Sequence, residues 1–305
     1  GDNIDGENGD DASGFSISLS SDGTTVAIGA TQNDGNGGNS GHTRIFDLDS
    51  GSWVQRGSDL DGEAANDYSG WSSALSSSGT VLAVGAFAND GNGSSSGHVR
   101  VHEWNGSAWE QKGNDIDGES GSDLSGWSTA ISSDGNILAI GATGNDANGN
   151  TSGHVRIYAW NGSAWAQRGN DLDGENTADY SGEAIALSSD GNIVAIGAYL
   201  NDGNGSDSGH VRVYAWNGTA WTQRGNDIDG ESVSDLSGES VALSNDGSVL
   251  AIGATANDGN GTSSGHVRVY AWNGTAWSQL GTDINGESGS DLSGWATSLS
   301  NDGTV

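Results

Sequence analysis

The 305 residues carry 41 acidic against nine basic side chains, a formal charge of −32, and only 32% of them are hydrophobic. That charge excludes polyanionic partners, nucleic acid and acidic membrane surfaces among them, and favours cations. Cys and Met are absent, so there is neither a disulfide framework nor a thiolate metal site, and the chain reads as mature, processed or partial. No apolar run is long enough to suggest a membrane span.

Low hydrophobicity with high charge ordinarily means disorder. The distribution here argues for a folded chain, because twelve Trp and most of the Val, Ile and Leu fall in short blocks separated by Gly, Asn, Asp and Ser. The blocks repeat. Acidic heptads of the form GNDIDGE begin at Gly1, Gly57, Gly113, Gly169, Gly225 and Gly281, always 56 residues apart. We therefore read residues 1–305 as one repeat domain of five full units (1–56, 57–112, 113–168, 169–224 and 225–280) and a partial sixth, 281–305. Basic residues keep the same register: Arg44, Arg100, Arg156, Arg212 and Arg268 in one row, Arg56, Lys112, Arg168 and Arg224 in another.

The third unit shows the expected elements in chain order. After its acidic segment comes a strand over Gly126–Ser132, in which larger Trp127, Thr129 and Ile131 alternate with small residues. Asp134-Gly135 makes a tight turn. Ile137–Ala142 is a strand apolar on both faces, as befits a position inside stacked sheets. A polar loop, Thr143–Gly153, leads to a third strand over His154–Trp160, with Val155, Ile157 and Ala159 on one face and His154, Arg156 and Tyr158 on the other. Asn161-Gly162 turns the chain into a fourth strand from Trp165 to Asp171, and the flanking Trp160 and Trp165 can pack on each other or on the next unit. Four antiparallel strands per unit predict an all-β fold, a β-propeller of five to seven closed blades or part of a longer array.

The unit resembles the FG-GAP repeat of integrin α-subunit-type propellers and microbial extracellular proteins. The resemblance rests on Gly126-Trp127 (Gly14-Phe15 in the first copy), the Asp134-Gly135 turn, Ala139-Ile-Gly-Ala142 and Gly153-His-Val-Arg-Ile-Tyr158. It implies a propeller and an extracellular or cell-surface setting. Many such repeats hold calcium in an Asp-rich loop between the first two strands. Here that connection, Ser132 to Asn136, is too short to wrap a cation, and that site is not carried over.

Calcium has another candidate site. The acidic segments place hard oxygen donors at alternate positions around a Gly. They are Asp59, Asp61, Glu63 and Asp67; Asp115, Asp117, Glu119 and Asp123; Asp171, Asp173, Glu175 and Asp179; and Asp227, Asp229, Glu231 and Asp235. The same residues could instead cap local backbone amides or pair with the Arg rows. The loop Asn89–Gly93 and its equivalents read as turns. Sequons occur at Asn92, Asn105, Asn150, Asn161, Asn204, Asn217, Asn260 and Asn273, each in an expected loop or turn, where glycosylation and simple turn chemistry are both open.

His42, His98, His154, His210 and His266 share one position, whereas a catalytic residue needs to occur only once. His102 stands outside the row. Five equivalent histidines predict a structural role and no enzyme. The expected function is a structural unit of an extracellular filament, matrix or adhesin, self-associating or continuing into further repeats. The alternative is a multivalent, calcium-dependent propeller that binds glycans or surface proteins. The uncovered first strand and the partial sixth unit add an expectation of end-to-end assembly or continuation.

Overall fold

The computed structural model describes residues 3–305, so Gly1 and Asp2 of the first heptad lie outside the described residues. Each of the five full units folds as an antiparallel sheet, and no helix is present among the described residues. No helix long and apolar enough to cross a membrane is found there. The residues cluster into two compact units, one reaching to Ala142 and including Ile157–Gln167, the other made of Thr143–Arg156 and Arg168–Val305.

In the first compact unit the second copy is representative. Ser72–Leu75 pairs with Val81–Ala86, which pairs with His98–Trp104, which pairs with Trp109–Gln111. In the second compact unit Ile185–Leu187, Ile193–Ala198, His210–Trp216 and Trp221–Gln223 repeat that order. The Asp-Gly turns form as their chemistry dictates. Gly135 takes φ +69°, and the Asp134 carboxylate accepts hydrogen bonds from the Ser132 hydroxyl at 2.6 Å and the Asn136 amide at 3.0 Å.

The second strands are the core. Val81–Ala86 is buried at every position, and Leu82, Val84, Ala27, Ile45 and Leu75 form one cluster, while Val81, Ala83, Val99, Val101, Leu138, Ile140 and Tyr158 form another. In the second compact unit Ala195, Val211, Val213, Leu250, Ile252 and Tyr270 do the same. Each cluster draws residues from consecutive copies, so a single sheet does not enclose its own core.

The fourth strand differs from expectation. Trp165–Gln167 pairs with the third strand, but the chain then turns at Gly169, and only Leu172–Asp173 returns, pairing with His154 and Val155. The break has a packing cause. Gly169 has φ +88°, and a Cβ there would lie 2.9–3.0 Å from the rings of Trp221 and Trp216 in the next sheet. The paired Trp rings pack on each other as expected, and on the preceding copy instead of the next. Trp104 and Trp109 sit 5.6 Å apart across their hairpin, and together they clamp the preceding copy: Trp109 Nε1 donates to Arg56 O at 2.9 Å, and the Arg56 guanidinium lies over the Trp104 ring. Arg224, Trp272 and Trp277 repeat the arrangement.

Copies also meet backbone to backbone. Gly118, of the heptad GNDIDGE, donates its N–H to Gly97 O at 2.8 Å, and a Cβ on it would fall 2.0 Å from Ser96 O. Gly118→Ala should therefore destabilise by about 2–3 kcal/mol through forced backbone displacement. Gly9→Ala, where a Cβ would meet nothing within 4 Å, should stay within about 0.5 kcal/mol of the parent. Urea denaturation of the two variants decides it: equal midpoints would show that the close approach is not structurally demanding.

Candidate functional site

The third strand of every full copy begins with a buried histidine, and the chain returns from the Trp hairpin as a two-residue strand beside it. His98 pairs with Asp117 across that return, His210 with Asp229, and His42 with Asp61. Registration of this kind puts a carboxylate next to each imidazole. His42 Nδ1 lies 3.9 Å from Asp61 Oδ1, 3.9 Å from Asp59 Oδ2 and 4.0 Å from Glu7 Oε2. In the second copy His98 Nδ1 lies 3.8 Å from Glu63 Oε2 and 4.0 Å from Asp117 Oδ1, with Asp115 completing the group. His210 faces Glu175 at 3.9 Å and Asp229 at 4.0 Å, with Asp227 alongside; His266 faces Glu231 at 4.0 Å, with Asp283 alongside.

The acidic residues that the sequence grouped within one segment are thus divided among different surroundings. Asp59 and Asp61 turn back to His42 of the preceding copy, while Glu63, two residues on, turns to His98 of its own copy, in the next sheet. Asp115 and Asp117 join His98; Asp227 and Asp229 join His210; Glu175 and Glu231 reach His210 and His266, the histidines later in their own copies. Asp173 Oδ1 lies 3.9 Å from His154 Nδ1, and its backbone carbonyl accepts from Arg212. Asp171 lines a groove with Asn170, Leu172 and Trp221, and the Glu119 amide donates to Asp123.

The fourth acidic residue of each segment stays apart and caps a turn. Buried Asp67 accepts from the Ala64 amide and from Asn89 Nδ2, Asp123 from the Glu119 and Ser120 amides, Asp179 from Glu175 and Asn176, and Asp235 from Glu231 and Ser232. The Asn89 loop is likewise held by turn hydrogen bonds, besides those it makes to its neighbours. Asn89 Oδ1 accepts from Gly91, and Asp90 from Ser95. Its Gly91 has a further role, because a Cβ there would lie 3.2 Å from Asp117 Oδ1.

Outer oxygens of the clustered carboxylates are held as well. Asp115 Oδ1 accepts from Gln111 Nε2 at 2.6 Å, and Asp59 Oδ1 from Gln55 in the same way. Glu63 Oε1 lies 3.8 Å from Arg100 Nη1, Glu175 Oε1 3.7 Å from Arg212, and Glu231 Oε1 3.9 Å from Arg268. The two Arg rows therefore have separate duties, one at these clusters and one under the Trp pairs. Burial, then the adjacent Arg charge, lowers His98, His266 and His210, the last to about 4. Burial raises Asp229 and Glu175. The His210 imidazole is therefore neutral at pH 7, and burial favours the same form, which presents a lone pair, at His98 and His266.

Sequence reasoning separated the histidines from the acidic segments. The signal that joins them is a constant offset: Asp59 follows His42, and Asp115 follows His98, by the same seventeen positions. All eight sequon asparagines are exposed. Those in the Trp hairpins hold their turn, as Asn161 Oδ1 does by accepting from Ser163 and Ala164, whereas Asn92 and Asn204 donate their Nδ2 to Gly118 O and Gly230 O.

The FG-GAP repeat family model matches residues 172–214, the return strand through the third strand of the fourth copy, and so bears out the resemblance carried by the motifs. No curated protein matches the sequence. Among solved structures the chain is similar to hydrazine synthase of Kuenenia stuttgartiensis, with TM-score 0.57 and 14% identity over 91% of this chain and 68% of that one. It is also similar to a putative 6-phosphogluconolactonase from Bacteroides uniformis, with TM-score 0.51 and 12% identity over 89% and 85%. These likenesses concern the fold, which is that of β-propeller blades.

His102 provides a test of the buried imidazoles. It occupies the position filled by Phe46, Tyr158, Tyr214 and Tyr270 in the other copies, and burial followed by the Arg100 charge lowers it to about 4. The folded state then binds its proton later than the unfolded state does, near 6.5, so stability falls as pH drops from 6.5 to 4. His102→Tyr should remove up to about 3 kcal/mol of that acid sensitivity while changing stability little at pH 7. Parallel denaturation curves at pH 7 and 4.5 read it, and equal pH dependence in both proteins would contradict the assignment.

Proposed function

We propose that this chain is a non-enzymatic structural repeat protein of the cell exterior, a building unit of a surface filament, matrix or adhesin. The observation that carries the reading is the equivalence of the polar sites: His42, His98, His210 and His266 have the same kinds of neighbour in the same geometry. An enzyme concentrates its chemistry where one copy differs from the rest. The lactonase likeness, at 12% identity, concerns the fold and brings no residue with it. A net charge of −32, exposed sequons and the FG-GAP match support an extracellular setting.

Self-association or continuation into further repeats is part of the proposal. Leu75 is covered by Ala27 and Ile45 of the preceding sheet. Its counterpart Leu19, with Ile17 and Phe15, stands exposed on the strand Ser13–Leu19. A further repeat of the same kind fits that face. A second reading, a glycan-binding module, draws on the recurring grooves in which Trp165, Tyr158, Asp115 and Asn114, or Trp277, Tyr270, Asp227 and Asn226, stand together.

Negative-stain microscopy and sedimentation over a range of concentrations test the first reading. Rods, fibres or concentration-dependent association are expected, and Leu19→Asp should weaken them at least tenfold. Discrete particles at every concentration, or hydrolysis of 6-phosphogluconolactone above the uncatalysed rate, would overturn it. Glycan binding abolished by chelator would establish the second.

A further inference from the structure

We infer that the histidine–carboxylate clusters are binding sites for a first-row divalent cation of the zinc type, not for calcium. The inference goes beyond the structural role proposed above and stands whether the chain builds a filament or binds glycans.

Geometry comes first. The His Nδ1 to carboxylate separations at His42, His98 and His210 are 3.8–4.0 Å, too long for hydrogen bonds. Two donors bound to one zinc at about 2.1 Å each, in tetrahedral geometry, sit about 3.4 Å apart. A closure of roughly half an ångström brings the donors to that distance. The donor set is one imidazole nitrogen with a Glu and two Asp oxygens at His42, His98 and His210. Calcium takes six to eight oxygens, whereas mixed nitrogen and carboxylate donors in fours suit zinc and its neighbours.

The histidines supply the independent observation. The His266 side chain is only 1% exposed, and neither its Nδ1 nor its Nε2 has a hydrogen-bond partner, although Nδ1 points at Glu231. A buried polar atom without a partner is costly and calls for a ligand. Charge agrees. Glu63, Asp115 and Asp117 carry three negative charges and Arg100 one positive, a balance of −2 that one dication cancels. At His266 the second Asp is replaced by Asn285, which leaves −1 and a weaker site. The donors are also preset, since Arg100 and Gln111 hold the outer oxygens of Glu63 and Asp115 as supporting groups hold ligands in metal sites.

The test is calorimetric titration of the full chain, stripped with chelator, using zinc chloride and separately calcium chloride. Zinc should bind at three or more equivalents per chain with micromolar or tighter affinity, unchanged by a hundredfold excess of calcium. Glu63→Gln and His98→Gln should each lower the count by one; Glu63 is exposed, so its variant should fold as the parent does, which circular dichroism checks. Less than one equivalent of zinc, calcium binding in its place, or an unchanged count in a folded Glu63→Gln protein would each overturn the inference.

Discussion

A carbonyl oxygen of one copy packed against an α-carbon of the next is the contact on which this fold depends. Ser96 O occupies the space that a side chain at Gly118 would need, and Ser40, Ser152, Ser208 and Ser264 stand in the same relation to Gly62, Gly174, Gly230 and Gly286. Gly126 O stands against Gly85 in the same manner. With the backbones that close, the short apolar strands of neighbouring copies share a core that none could form alone, and 32% hydrophobic residues suffice. The close approach also sets the segment after Gly62 beside the third strand of the next sheet, which is how Glu63 reaches His98.

Much of this was legible in the residues. Period-two alternation, the Asp134-Gly135 and Asn161-Gly162 turns and the doubly apolar Ile137–Ala142 gave strands that the structure places within a residue or so. Local chemistry decides those elements, and local chemistry is what a sequence displays. The fourth strand failed for the opposite reason. Nothing within Trp165–Asp171 announces a break at Gly169, because the rings that require it, Trp216 and Trp221, lie far along the chain in the next sheet.

The acidic segments teach the same lesson at the site. Alternate spacing around a Gly suggested that Asp59, Asp61, Glu63 and Asp67 surround one point, yet Asp67 is buried as a turn cap and Glu63 belongs with His98. Proximity along the chain stood in for proximity in space. The histidines were read as structural because they recur, but recurrence also describes a site made many times over. What no single copy reveals is that the cluster is assembled across a copy boundary: Glu63 and His98 precede it, and Asp115 follows.

That shared construction has a bearing on how such a chain can change length in evolution. Since His98, His210 and His266 take their glutamates from segments linking two sheets, a genetic duplication or loss of one whole period, wherever its breakpoints fall, regenerates the same cluster at the new junction. An insertion between Gly62 and Glu63 would instead displace the glutamate from its histidine. The repeat is thus a unit of inheritance as well as of folding, and its junctions are where drift in register is corrected.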